Sequence, residues 1–138
     1  MVATGLEGVG LLVARVLFGG VVAFMGLNHF MQIDQLTGYA QHKGLPAPKF
    51  SVLASGAVLV LGGFAVVLGA FPVVGALAVA GFLLASAVLM HDFWAVGEED
   101  QQNEMINFLK NVGLLGGALV FLALGGVDWP YAVGVGLV

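Results

Sequence analysis

The side chains able to do chemistry in this chain are few, and they fall in three clusters and one isolated position. Asn28-His29-Phe30, His91-Asp92-Phe93-Trp94 and Phe108-Leu109-Lys110-Asn111 are the clusters, and Arg15 stands alone inside an apolar run. Imidazole, amide and ammonium groups beside aromatic rings can hydrogen-bond the two carbonyls of a quinone headgroup and roof it, provided that apolar walls take its tail. His91 could exchange protons with a reduced quinone, because an unperturbed imidazole titrates near pH ~6.5. The alternative for these clusters is interfacial anchoring, since Trp, Lys and His are ordinary at the ends of membrane helices. A bis-His haem site from His29 and His91 is a further reading. A metal site from His91, Asp92 and Glu98 is another, although its spacing matches no ligand motif.

Arg15 lies about seven residues, roughly 10 Å, inside its apolar run. A charge there costs at least ~2.5–3.5 kcal/mol. Gly8, Arg15, Gly19, Val22, Gly26 and His29 recur by threes, fours and sevens, so they share one helical face. Its glycines predict close contact with another helix, and Arg15 should point into the bundle. Three roles are open: snorkelling toward Glu7 or Asp128, binding an anionic or carbonyl-bearing ligand, and tying helices together.

These residues must be positioned by membrane helices. The chain has 138 residues, 60% of them hydrophobic and 9% charged, with a mean hydropathy of +1.06. Soluble domains are roughly 25% charged, so a soluble enzyme and a disordered tail are excluded. Four Lys+Arg against eight Asp+Glu leave no basic surface for nucleic acid. With no cysteine, disulfides, thiolate catalysis and iron–sulfur ligation are also excluded. No Walker A, nucleophile elbow or HExxH motif occurs.

Four continuously apolar runs, approximately residues 8–30, 52–69, 73–90 and 112–127, each suit a ~30 Å hydrocarbon core. The expected fold is an all-α membrane protein: one domain over 1–138, a bundle of four transmembrane helices with both termini on the same side. The first run lacks a basic leader and is expected to be retained. Gly69-Ala70-Phe71-Pro72 predicts a tight hairpin. Met31–Ser51 and His91–Lys110 are expected to be long loops on the opposite face, with Glu98-Glu99-Asp100 solvated. Lys43, Lys49 and Lys110 would place that face in the cytoplasm. Trp129 and Tyr131 suit the headgroup level, their segment lying at the interface or capping the bundle. Gly113-x-x-x-Gly117, with Gly116, predicts a packing face within the bundle or toward another subunit.

The chain resembles the DoxX family of small four-helix membrane proteins. The resemblance rests on Leu11-Leu12-Val13-Ala14-Arg15 with the glycines after it, Gly44-Leu45-Pro46-Ala47-Pro48, Leu61-Gly62-Gly63 through Leu68-Gly69, His91-Asp92-Phe93-Trp94, Met105 through Asn111, and Gly116-Gly117. Many relatives carry an acid in the second helix, where this chain has Leu59, and an arginine in the second hairpin, where it has Phe71-Pro72. Named for a terminal quinol oxidase subunit, the family includes a part of a thiosulfate:quinone oxidoreductase and members of complexes that handle oxidative and thiol stress. The resemblance implies a multi-pass protein of the cell membrane, a quinone-linked subunit or accessory of a redox complex more than a complete enzyme. A partner would then supply the redox cofactor, none being covalently implied here; other membrane or redox subunits, or a second copy of the chain, are the expected partners. Arg15, Asn28, His29, His91, Trp94, Lys110 and Asn111 are the candidate quinone-site residues. The rival expectation is a scaffold without ligand that docks other membrane helices; a small-solute carrier would need polar groups that the second and third runs lack.

Overall fold

The computed structural model describes residues 5–136. It contains five α-helices: α1 (Leu6–Met31), α2 (Ile33–His42), α3 (Pro48–Leu68), α4 (Pro72–Met90) and α5 (Glu98–Ala123). Single 3-10 turns follow at Phe93–Ala95 and Leu124–Gly126, and no strand occurs among the described residues. Helices α1, α3, α4 and α5 are long and apolar enough to cross a membrane. In hydrocarbon every backbone polar group must find its partner within the segment, and a helix does this for itself. Leu17, Phe24, Leu61, Phe64, Leu77 and Leu84 face outward, as a lipid-contacting surface requires.

Helix α1 packs against α3, α3 against α4, and α4 against α5. Phe18 of α1 and Phe121 of α5 meet with ring centroids 5.2 Å apart and close the ring. Val22, Leu59, Val79, Leu83 and Ala118, drawn from all four spans, form the buried centre. The closest approach is between α1 and α3, which run antiparallel. A methyl group on Gly19 would sit 2.5 Å from the Gly63 carbonyl oxygen, and one on Gly26 would sit 2.6 Å from that of Gly56. Backbone lies against backbone at both points, so no side chain could move aside to make room.

The turn between α3 and α4 is as tight as expected. Gly69 adopts the left-handed conformation, with φ 66°, that stops α3, and Pro72 opens α4 with its missing N–H in the first turn. The segment after α5 folds back on this turn, where the Leu68 and Gly69 carbonyls accept from the Val133 and Gly134 amides. The expectation that the two termini share a side involves residues 1–4 and 137–138, which lie outside the described residues.

Two expectations about the loops are corrected. Residues 31–51 are not a plain loop: they hold α2, which turns Leu36, Tyr39 and Ala40 inward and leaves Asp34, Gln35, Gln41 and His42 exposed. Nor are residues 91–110 all loop: only 91–97 lie between α4 and α5. Helix α5 starts at Glu98 instead of near Val112, and Glu98, Glu99 and Asp100 form its first turn, where acids oppose the helix dipole favourably. A hydropathy run ends where the chain turns polar, but the helix continues beyond it.

Candidate ligand-binding site

Where α1 ends and α3 begins, their close packing gives way to a cavity of about 430 Å³ shared with α2 and the end of α4. Its walls are mainly apolar, Leu36, Val52, Phe82 and Leu89 among them. Six polar side chains line it: His29, Tyr39, Ser51, Ser55, Ser86 and His91. His29 extends the inward face of α1 one turn past Gly26. Its Nδ1 lies 3.0 Å from Ser55 Oγ and 3.2 Å from the Val52 carbonyl oxygen, and its ring meets Phe82 edge-on at 5.8 Å. His91 follows the last residue of α4, with Nδ1 3.4 Å from Glu104 Oε1. Asn111, buried on α5, donates to Ser86 Oγ across 3.1 Å and so sits behind the cavity wall.

A charged latch joins α2 to α4 and α5 beside the cavity. The Tyr39 hydroxyl is 2.6 Å from Glu104 Oε2 and 2.8 Å from the Met90 carbonyl oxygen. Lys43 pairs with Asp92 and, at 3.2 Å, with Glu104. Sequence reasoning missed this group. A signal was present: Glu104, Asn111 and Ala118 recur every seven residues, with Phe121 one turn further, and all four are buried on one face of α5. Extending the inward stripe of the apolar half back into the polar half would have placed Glu104 inside.

Burial pushes the Tyr39 phenol up, and the hydrogen bond and negative charge of Glu104 push it further, to well above the usual tyrosine value. Burial would lower Lys43, but its bonds to Asp92 and Glu104 outweigh this and hold the ammonium above its usual value. Both folded-state values are raised, so the stability from these groups is complete below the unfolded values of 10.0 and 10.5 and is lost as pH rises through the folded ones. The latch should therefore leave the unfolding temperature in detergent level from about pH 7 to pH 9 and contribute a decline above about pH 10.5. A Tyr39→Phe, Lys43→Met double variant should lack that part of the decline in the same thermal scan.

The other candidate residues lie elsewhere. Arg15 is fully buried, so it does not snorkel. It bonds the Val66 and Val67 carbonyls near the end of α3, whereas His29 bonds Val52 near its start; the two are about 20 Å apart along that helix. Its partners are backbone carbonyls, and its role is a tie between elements. Trp94 is 55% exposed and stacks edge-on with Phe93 and Phe108 outside the cavity, as an interfacial anchor would. Lys110 is exposed, and Asn28 and Phe30 do not line the cavity. The expected roof of Phe30, Phe93 and Trp94 is thus replaced by α2. Trp129 does not face outward: it is 5% exposed, packs on Phe121 and donates to the Leu124 carbonyl, so its segment caps the bundle. Among the described residues no group of three or more His, Asp or Glu side chains could hold a metal ion.

The DoxX family model matches residues 10–92. The chain belongs to the DoxX family. Every residue lining the cavity falls within the matched segment, so this DoxX-family chain carries its cavity in the part by which the family is recognised. The match ends before α5, which contributes Glu104 and Asn111. No curated protein and no solved structure matches the chain.

Proposed function

We propose that this DoxX-family protein holds the headgroup of a lipid-soluble quinone in the cavity between α1, α2, α3 and α4, as a quinone-linked subunit or accessory of a redox assembly in the cell membrane. The observation that carries the proposal is the cavity itself. It is mainly apolar, it is built from the ends of membrane-spanning helices, and it has an imidazole on α1 and another at the end of α4. A quinone needs this combination of walls for a ring and tail with a few fixed polar partners. His91, with Glu104 behind it, is placed to exchange a proton with such a ligand, and a partner brings the electron-transferring group.

Protein purified in mild detergent is expected to carry quinone and to rebind a short-tailed benzoquinone after delipidation. His29→Ala and His91→Ala each remove one polar group from the headgroup's surroundings and are each expected to weaken rebinding of whichever redox form of the probe binds more tightly about tenfold. Arg15→Lys, far from the cavity, should bind as wild type does. Absence of both co-purified quinone and rebinding sinks the proposal and leaves the docking scaffold as the better reading.

A further inference from the structure

The hydrogen atoms around the cavity are almost all committed to protein acceptors. Ser51 donates to the Pro46 carbonyl at 2.8 Å, and Ser55 to the Val52 carbonyl at 3.0 Å. The Tyr39 proton lies between Glu104 and the Met90 carbonyl, both acceptors. A carbonyl oxygen can only accept, so His29 Nδ1, beside that of Val52, carries its hydrogen. Ser55 Oγ, its own proton given to Val52, accepts from the same N–H. His91 Nδ1 faces the Glu104 carboxylate and carries its hydrogen for the same reason. Lys43 already balances that carboxylate, so the ring needs no charge of its own. Each imidazole is then fixed in one tautomer, with Nε2 a bare acceptor, and neither Nε2 has a protein partner among the described residues. Of the six polar side chains only Ser86, whose oxygen accepts from Asn111, keeps an uncommitted proton.

From this inventory we infer that the cavity selects a ligand that brings its own donors: an aromatic diol, the quinol and not the quinone. This rests on the quinone-class reading above and adds the redox state to it. A quinone offers two carbonyl acceptors to two imidazole lone pairs and makes neither bond. The quinol offers two hydroxyls and makes both. His29 and His91 are the residues that determine this preference, with Val52 and Ser55 fixing one ring and Glu104 the other.

The test is calorimetric titration of the detergent-solubilised protein under anaerobic conditions with three probes of one shape: a decyl-tailed benzoquinol, its quinone, and the dimethyl ether of the quinol. Two extra hydrogen bonds predict that the quinol binds about tenfold or more tighter than either of the others. Glu104→Gln can turn an amide N–H toward His91 and move the ring proton to Nε2, so the preference should fall to within about threefold. His29→Leu, which removes the other acceptor and leaves the latch intact, should lower it similarly. Equal binding of the three probes, or a wild-type preference retained in both variants, overturns the inference while the quinone-class reading stands. If none of the three binds, both fail.

Discussion

Replacing Arg15 by leucine should destabilise the protein by about 3–5 kcal/mol, since each carbonyl acceptor left unpaired away from water costs about 1–3 kcal/mol. Four carbonyl oxygens depend on this guanidinium. Nε donates to Val66 at 3.2 Å and Nη1 to Pro130 at 2.7 Å; Nη2 donates to Val67 at 2.7 Å and to Tyr131 at 3.2 Å. Two of these belong to the last turn of α3, whose final carbonyls have no partner within the helix, and positive charge is favoured there. The other two belong to the segment after α5. The guanidinium carbon also lies 5.4 Å from the Trp129 ring centre, adding a cation–π contact. Leucine leaves all four oxygens without their donor, that of Val66 in a buried position and the others partly buried. Lysine keeps the charge but has three donors on a point-like head, so Arg15→Lys should lose roughly half as much. Thermal unfolding in detergent gives the ordering. Limited proteolysis at residues 127–136 should show that segment released in Arg15→Leu; if it stays protected and the unfolding temperature is unchanged, the tie is not what holds it.

Replacing Glu104 by alanine should cost about 2–4 kcal/mol, less than Arg15→Leu because Lys43 keeps Asp92 and Tyr39 keeps the Met90 carbonyl. The loss should fall locally. Among the described residues Glu104 is the one group that touches Tyr39, Lys43 and His91 together, so amide exchange should rise in α2 and at the end of α4 and stay slow in the α1–α3 contact. A double-mutant cycle with Tyr39→Phe should return a coupling of about 1–2 kcal/mol. A coupling near zero would mean that α2 is held by its apolar contacts alone.

The spans were legible because their signal is local. Continuous apolar runs mark α1, α3 and α4 within a few residues, and Gly69 with Pro72 marks the turn between two of them. The inward face of α1 was legible too: Gly8, Arg15, Gly19, Val22 and Gly26 are all buried, since sevenfold spacing puts small residues where two helices meet. Other features depend on partners far along the chain. Arg15 meets backbone carbonyls 51 to 116 residues away, and a backbone carbonyl leaves no mark in a sequence. Tyr39 and Glu104 are 65 residues apart, each ordinary in its own surroundings. Helix α2 has only ten residues, too few for its period to stand out against the charges around it. His29 and His91 were both singled out and both line the cavity, because each closes an apolar run at one membrane depth. Trp94 and Lys110 occupy the same depth but point away, and depth alone does not distinguish the two directions.

The tie at Arg15 also sets an order of events during synthesis. The guanidinium is made among the first residues, and two of its acceptors, Pro130 and Tyr131, among the last of the described chain. Until translation reaches them, the guanidinium has at most the two α3 carbonyls, and half of its fork stays empty. Each newly made chain therefore holds this charge without two of its four partners until the segment after its last helix is in place.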